Sequence, residues 1–452
     1  MFDIESEIRT WQNYLRSRGN FRESDLQELE SHLRDEMEDL CRTGLSQDEA
    51  FFIAVKRIGN TGSLSREFAK GRTALLWKQL FIEDADEVSR RQAAFELVLV
   101  AALGLLAGFF AKIPEILGFD LQGPGESVFV RNISFFVIPS VAAYFVWKHR
   151  PPVRSIAAVA AAFLVPLALV NLFPYADGSH TEMLTAIHLP LLLWLTTGAL
   201  YIGSSWRSAE RRMDYIRLTG EGFVYGVLIL LGGAVLTAFT GFLFSSIGFE
   251  QDVKRFIERY LAIFGAAATP VVAVFLAETK RSIVESFAPV LAQIFAPLFV
   301  LLLTAFLAVS VPNGFAPFGE REYLIGFDLL LALVLAMVLY IIASRPAGKE
   351  PGAFDWLMLA LLVLALVTNG AALSAVASRI VTYGGSPNKL AALGENIVLT
   401  INLGALAYLQ LRFLLKRAEF SSLVRFQTGY FAVYAVWFAV VALVFPVLFG
   451  WA

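Results

Sequence analysis

The chain has 452 residues, a formal net charge of -2 and 57% hydrophobic residues. This apolar share exceeds the roughly 45–50% of ordinary soluble domains, which indicates an integral membrane protein. The nearly neutral charge argues against direct nucleic-acid binding, and the single cysteine, Cys41, excludes an intrachain disulfide and a cysteine-based zinc site. We expect neither a metal nor another cofactor.

Charged residues are concentrated at the start of the chain. Residues 1–91 contain 32 of the 76 Asp, Glu, Lys and Arg residues, while the other 361 residues share 44. Charge at the centre of a bilayer costs roughly 2.5–3.5 kcal/mol per residue on insertion scales. The sequence therefore predicts a soluble helical domain over 1–70, a connector over 71–91 and a membrane domain over 92–452.

Apolar residues recur at helical spacing along residues 4–15 and 26–40 and again near Phe51, which predicts three amphipathic helices. A shorter fourth helix is predicted around Leu64 and Phe68. Ser46 and Glu49 have the spacing of a capping box at the start of the third helix. Four short helices are enough to close a small core.

The second predicted helix contains six acidic residues that form a candidate face for docking a basic partner. The same residues could form an ordinary solvated helix face. They are Glu28, Glu30, Asp35, Glu36, Glu38 and Asp39.

The connector has Trp77 and several leucines beside an acidic stretch. Such a segment either lies at the lipid surface as an interfacial helix or forms a rigid link.

Apolar stretches long enough to cross a bilayer follow the connector. They predict an all-α, polytopic membrane protein with about eleven transmembrane helices. The stretches are 93–111, 129–147, 155–173, 184–203, 222–247, 260–277, 287–311, 323–343, 354–377, 396–415 and 429–449.

Most Lys and Arg residues of the membrane domain fall in alternate loops, at 148–154, 207–217, 280–281, 345–349 and 416–425. The positive-inside rule places these loops and the N-terminus in the cytoplasm. An odd number of spans then places the C-terminus on the periplasmic side.

Polar groups within spans are costly, so each is a candidate for function until a partner is found. Five residues form a candidate intramembrane polar path: Glu96, Arg131, Asp328, Asn369 and Asn402. Snorkelling, ion pairing and interhelical hydrogen bonds are the alternatives. Arg131 is either an anchor at the lipid surface or a partner for Asp328.

Prolines are expected to kink the sixth and seventh spans, at Pro270, Pro289 and Pro297, because proline leaves a helix carbonyl without its donor. The kinked helices could line a cavity or a hinge, or the prolines could serve packing alone. Runs of small residues, such as Gly265 to Ala268, would permit close helix contact within one chain or in a homo-oligomer. No catalytic motif occurs in a credible context, so an enzyme is not expected.

Residues 26–70 resemble the HTH-associated α-helical signalling domain, also called the permease prefix domain. The resemblance lies in ELESHLRDEMEDL (28–40), Gly44-Leu45-Ser46, Glu49-Ala50, Arg57-Ile58-Gly59 and the stretch 64–68. It implies a bacterial membrane protein that pairs with a PadR-like transcriptional regulator, with the acidic second helix as the docking or signalling element.

The membrane part, from about residue 95 to 449, resembles the bacterial membrane-protein family called domain of unknown function 4153. The resemblance lies in residues 131–148, 225–228, 287–298, 328–330, 379–380 and 383–386. It implies a multi-pass architecture and location in the bacterial inner membrane, among membrane lipids, but no activity.

Two functions are therefore expected as alternatives. In the first, the protein is a sensor or regulatory component whose N-terminal helices dock a cytoplasmic regulator. In the second, it is a permease or channel for a small solute or ion, gated by the N-terminal domain.

Overall fold

The computed structural model describes residues 4–18, 23–42, 45–58, 83–119, 125–176, 178–245, 250–279, 281–312, 321–345 and 350–451. Helices joined by short loops account for these residues, and no strand occurs among them, which confirms the all-α prediction. The chain divides into two compact units, Met1–Phe95 and Glu96–Ala452.

Three helices make up the described part of the first unit: α1 (Ile4–Arg18), α2 (Glu23–Arg42) and α3 (Gln47–Ile58). Their apolar faces meet in a core that buries Trp11, Leu33 and Phe51 to 2% exposure or less. The Glu49 carboxylate accepts a hydrogen bond from the backbone N–H of Ser46 at 2.9 Å, as in a capping box. The predicted fourth helix and residues 71–82 of the connector lie outside the described residues.

The remaining helices extend from Glu83 almost to the end of the chain. In chain order they are α4 (Glu83–Ile116), α5 (Glu126–His149), α6 (Val153–Leu172), α7 (His180–Ile202), α8 (Ala209–Ser245), α9 (Glu250–Phe256), α10 (Ala262–Thr279), α11 (Arg281–Ser310), α12 (Arg321–Ser344), α13 (Ala353–Tyr383), α14 (Pro387–Leu414), α15 (Ser421–Ala439) and α16 (Phe445–Leu448).

Nine helical segments among the described residues are long and apolar enough to cross a membrane. Two shorter apolar segments, Ile294–Ser310 in α11 and Asp328–Ser344 in α12, occupy the positions of the seventh and eighth predicted spans. Many large apolar side chains on these helices are exposed, Leu329 at 72% for example. Since soluble monomers rarely expose large contiguous apolar patches, this surface fits a lipid environment and a multi-pass membrane protein.

Two groups of helices build the interior of the second unit. One core joins side chains of α4, α5, α6, α7, α8 and α10, and a larger one joins α8 with α11 to α15. Helix α7 packs on α15 and helix α8 packs on α12, so these two helices connect the groups.

The predicted kink prolines lie inside continuous helices. Pro270 is within α10, and α11 runs without a break through Pro289 and Pro297, so the kinks themselves remain a prediction. Two π-helical turns that the sequence did not reveal occur elsewhere, at Ile257–Leu261 before α10 and at Val440–Val444 after α15. Such turns are frequent at functional sites.

Contacts near helix ends assign the loops to two faces: Lys148, near the end of α5, pairs with Glu96 of α4, and Arg217, near the start of α8, bonds to the carbonyl of Ala343 at the end of α12. We call the face with loops 150–152, 203–208 and 415–420 the basic face, and the opposite one the far face. Residues within 208–217, 342–345, 350–351 and 413–425 line one cavity, which brings parts of three Lys- and Arg-rich segments together.

Candidate functional site

A partly buried polar cluster, which we call the far-face cluster, contains Asp328 of α12, Asn369 of α13, and Glu395, Asn396 and Thr400 of α14, with His188 of α7. Asn396 is at its centre. The Nδ2 group of Asn396 donates to Asp328 Oδ1 at 3.1 Å and to the carbonyl of Ala392 at 2.8 Å. The Nδ2 group of Asn369 donates to the carbonyl of Asn396 at 3.0 Å and to Thr400 Oγ1 at 2.8 Å. Two of the five residues proposed for a polar path, Asp328 and Asn369, are thus joined through Asn396.

His188 connects α7 to the same cluster. Its Nδ1 atom lies 2.7 Å from the carbonyl of Leu184, and its Nε2 atom lies 2.5 Å from Glu395 Oε1. The His188 side chain is 4% exposed, and Phe438 of α15 packs edge-on against it. Four helices, α7, α12, α13 and α14, therefore contribute polar groups to this cluster.

Several polar atoms in the interior have no hydrogen-bond partner. They include the side-chain oxygens of Asn369 and Asn396, both in residues with 0% exposure. Leaving a buried acceptor unsatisfied costs about 1–3 kcal/mol, so native proteins contain few such atoms, and a ligand or a water often explains them.

Asn402 lies deeper in the helix bundle and is not part of this cluster. Its Nδ2 group donates to Gln427 Oε1 of α15 at 3.0 Å, while Asn402 Oδ1 and Gln427 Nε2 have no partner. Both residues are fully buried. This pair joins α14 to α15 within the apolar interior.

Glu96 belongs to a second group, which we call the basic-face cluster: Glu96 of α4, Tyr144, Lys148 and His149 of α5, and Glu278 of α10. The hydroxyl of Tyr144 lies 2.7 Å from Glu96 Oε1 and 3.0 Å from Glu278 Oε2. Lys148 pairs with Glu96, and His149 Nε2 lies 2.8 Å from Glu278 Oε1. Each carboxylate thus has its own basic partner, and the fully buried Tyr144 joins the two pairs.

Arg131 lies near the far-face end of α5, and its acidic partner is Glu182 of α7 at 3.5 Å. The guanidinium is also 5.7 Å from the ring centroid of Tyr175, where burial raises the pKa of the phenol. Of the two sequence-based alternatives for Arg131, a partner for Asp328 is therefore not the arrangement found. Arg131 pairs with Glu182, and Asp328 accepts a hydrogen bond from Asn396.

The basic face contains a cavity of about 1240 Å³ between α8, the α12–α13 loop and the α14–α15 loop. Arg345 lies in the wall of this cavity and pairs with the buried Asp355. The Cζ atom of its guanidinium lies 4.9 Å from the ring centroid of Phe413 and 4.8 Å from that of Phe420. Among the residues that the structure describes, five basic and four acidic ones line the cavity, so this part of its wall is polar and nearly balanced in charge. The lining charges are Arg217, Arg345, Lys416, Arg417 and Arg425 with Glu210, Asp214, Glu350 and Glu419.

The acidic residues of α2 differ in their contacts. Glu30 pairs with Arg34, and Glu38 and Asp39 share the exposed Arg42. Asp35 is exposed and Glu36 is half-buried, while the side chain of Glu28 lies outside the described residues. The candidate docking face is therefore partly neutralised by the helix's own arginines.

Sequence reasoning missed Glu278, Glu395 and Asn396. Glu278 and Glu395 lie just outside or at the end of the apolar stretches, where charge is unremarkable. Asn396 is the first residue of a predicted span and was indistinguishable from a residue that faces a loop. A second feature that was missed is the Glu115 carboxylate, which pairs with Lys112 and Arg259 beside the first π-helical turn.

No family model, curated protein or solved structure matches the chain. Within the described ranges, no group of three or more His, Cys, Asp and Glu side chains is arranged to hold a metal ion.

Proposed function

We propose that the chain is a sensor or regulatory component of the bacterial inner membrane, with eleven spans, a cytoplasmic N-terminus and a periplasmic C-terminus. Its N-terminal helices dock a basic cytoplasmic protein, for which a PadR-like regulator is the candidate that the resemblance to permease prefix domains implies. A cue received by the membrane unit would change helix packing and thereby the availability of the docking face.

The observation that carries this proposal is the state of the acidic face of α2. Asp35 is exposed and has no partner among the described residues, and Glu38 and Asp39 share the single cation of Arg42. The Arg42 side chain is 70% exposed, and exposed pairs of this kind contribute only about 0.2–1 kcal/mol. A basic partner could therefore replace Arg42 at little cost.

The packing of the first unit supports the same role. Trp11, Leu33 and Phe51 close a core among α1, α2 and α3, which orients Asp35, Glu38 and Asp39 away from that core. A preorganised surface loses less conformational entropy on binding than a flexible segment.

Binding of the purified full-length chain in nanodiscs to a purified PadR-like regulator tests the proposal. Substitution of Asp35→Asn, Glu38→Gln and Asp39→Asn together should weaken binding at least about tenfold, or 1.4 kcal/mol. Asp48→Asn, which removes an exposed acid from α3, should leave binding unchanged. Equal binding by all three proteins, or no binding by the unmodified chain, would contradict the docking role.

A permease or channel is the second candidate, favoured by the unsatisfied buried atoms of Asn369, Asn402 and Gln427. Polar groups of this kind line ion and solute paths in membrane proteins. All three residues are fully buried, so a path through them requires a second conformation. Solute flux into proteoliposomes that Asn369→Ala abolishes would favour this role.

A further inference from the structure

Asp328 is an intramembrane carboxylate without a counter-charge. Its partner is the neutral amide of Asn396 at 3.1 Å, and no Lys, Arg or His pairs with it in the described part of the chain. The nearby carboxylate of Glu395 repels its charge. A carboxyl group in this position either binds a proton and is neutral or is ionised beside a cation.

His188 does not supply the missing charge. Its two ring nitrogens face oxygen atoms, Nδ1 the carbonyl of Leu184 at 2.7 Å and Nε2 the carboxyl group of Glu395 at 2.5 Å. A carbonyl oxygen only accepts, so Nδ1 donates, and the one proton between Nε2 and Glu395 leaves this pair without net charge whichever partner holds it. The pair of His188 and Glu395 therefore offers no positive charge to Asp328.

The side chains linked to Asp328 include neutral oxygen atoms without a hydrogen-bond partner. The Oδ1 atom of Asn396 is one of them, and it belongs to the same carboxamide whose Nδ2 group contacts Asp328. Asn369 bonds to the backbone of Asn396 through Nδ2, and its own Oδ1 atom also has no partner. Thr400 adds a hydroxyl to the same network. The unsatisfied side-chain atoms of Asn369 and Asn396 are thus oxygens, the ligand type of hard cations.

We propose that the far-face cluster is a Na⁺ site. Asp328 supplies the charge, and the amide oxygens of Asn396 and Asn369 and the hydroxyl of Thr400 supply neutral ligands. One uncompensated negative charge matches a monovalent cation, whereas divalent sites in proteins commonly use several carboxylates. The site stands independently of the docking role of α2, since it involves residues of the membrane unit alone.

The position of the cluster permits entry of an ion from the far face. Asp328 lies about two turns from the start of α12 at Arg321, and Asn396 lies a similar distance from the start of α14 at Pro387. Asp328 is half-buried, and the Glu395 side chain is 31% exposed. A cation can reach Asp328 without crossing the apolar layer that contains Asn402 and Gln427.

Equilibrium binding of ²²Na⁺ to the purified full-length chain in nanodiscs at pH 8 tests this site, with N-methylglucamine chloride holding the ionic strength constant. We expect saturable binding of one Na⁺ per chain and a thermal midpoint that rises with Na⁺ concentration, as linkage requires. Asp328→Asn should weaken Na⁺ binding at least about tenfold, because the site loses its charged ligand. Asp214→Asn, a matched acid on the basic face, should bind Na⁺ as the unmodified chain does.

Absence of saturable ²²Na⁺ binding to the unmodified chain at pH 8 would overturn the proposal. If the thermal midpoint responds to pH but not to Na⁺, and Asp328→Asn removes that response, the site binds a proton instead and the proposal fails. If the Asp328→Asn protein does not fold, Na⁺ binding by Asn396→Ala tests the site instead, because this variant lacks one amide oxygen and keeps Asp328. Unchanged Na⁺ affinity in a folded Asn396→Ala protein would also contradict the site.

Discussion

At the scale of single residues, hydrogen bonds to charged side chains link the N-terminal helices. Arg34 of α2 binds both oxygens of Glu5 on α1, at 2.8 and 3.0 Å, and also pairs with Glu30. These bonds hold the pKa of Glu5 below its usual value, and bonds from Ser46 lower the pKa of Glu49 in the same way. Both carboxylates are therefore more acidic in the folded state than in the unfolded chain.

The lowered pKa values predict a loss of stability in acid. A carboxylate whose folded pKa is depressed contributes stability above its unfolded value, near 4.5, and loses it as the pH falls through the folded pKa. The half-buried Cys41, the single cysteine of the chain, reports on this packing. We expect the rate at which 2,2′-dithiodipyridine reacts with Cys41, divided by its rate with free cysteine at the same pH, to rise as the pH falls below 4.5.

Arg34→Gln should flatten this pH dependence, because the pKa of Glu5 then returns toward its ordinary value. Arg42 is an exposed arginine in the same helix that pairs with Glu38 and Asp39 rather than with Glu5 or Glu49. The Arg42→Gln protein should therefore keep the full pH dependence of Cys41 reactivity. A steep acid response that persists in Arg34→Gln would show that Glu5 does not contribute to it.

At the scale of helices, α14 makes the contacts that hold the second group of spans together. It packs along α13 and also contacts α7 and α15. Its polar side chains bond to each of these neighbours, and Gly394 permits a close approach to α15. A Cβ atom at Gly394 would lie 2.0 Å from ring atoms of Trp437. The helix interface therefore requires the absence of a side chain at this position.

Gly394→Ala should consequently lower the thermal midpoint of the protein in detergent, by an amount that corresponds to the roughly 1–3 kcal/mol typical of overpacking. Gly404→Ala is a matched control in the same helix, because no atom lies within 4 Å of its Cβ position. The control should leave the midpoint unchanged or raise it. Equal midpoints for the two variants would contradict a tight contact between α14 and Trp437.

At the scale of the whole molecule, the membrane arrangement rests on the nine long apolar helical segments found in the described part of the chain and on the shorter apolar segments of α11 and α12. If all eleven cross the bilayer, ten spans separate Asp48 from Glu419, and nine separate Asp48 from Tyr383. Asp48 and Glu419 would then lie on one side, and Tyr383 on the other.

Single cysteines in a Cys41→Ala background test the sides of the membrane on which this arrangement places the loops. With a membrane-impermeant maleimide added to intact cells, Tyr383→Cys should be labelled, while Asp48→Cys and Glu419→Cys should be labelled only after lysis. All three positions are exposed, so a lack of labelling reflects the membrane rather than burial. Labelling of Asp48→Cys and Tyr383→Cys from the same side would contradict an odd number of spans between them.

Part of the candidate site was visible in the sequence because a polar residue within an apolar stretch is conspicuous. Asp328 and Asn369 were selected on that basis, and the structure joins them through Asn396. Glu96, Arg131 and Asn402 were selected equally well, but each lies in a different environment. Glu278 and Glu395 were missed because they border the apolar stretches, where local sequence does not distinguish a buried carboxylate from a solvated one.

The sequence by itself determined the all-α class, the amphipathic helices of the first unit and the multi-pass character of the second. These properties follow from helical periodicity and from the cost of placing charge in lipid, which act over a few neighbouring residues. The tertiary structure alone decided which polar groups meet. The bonds from His149 to Glu278 and from Asn396 to Asp328 join residues 129 and 68 positions apart. Such pairs depend on how helices pack, a property of many contacts at once that no local spacing encodes.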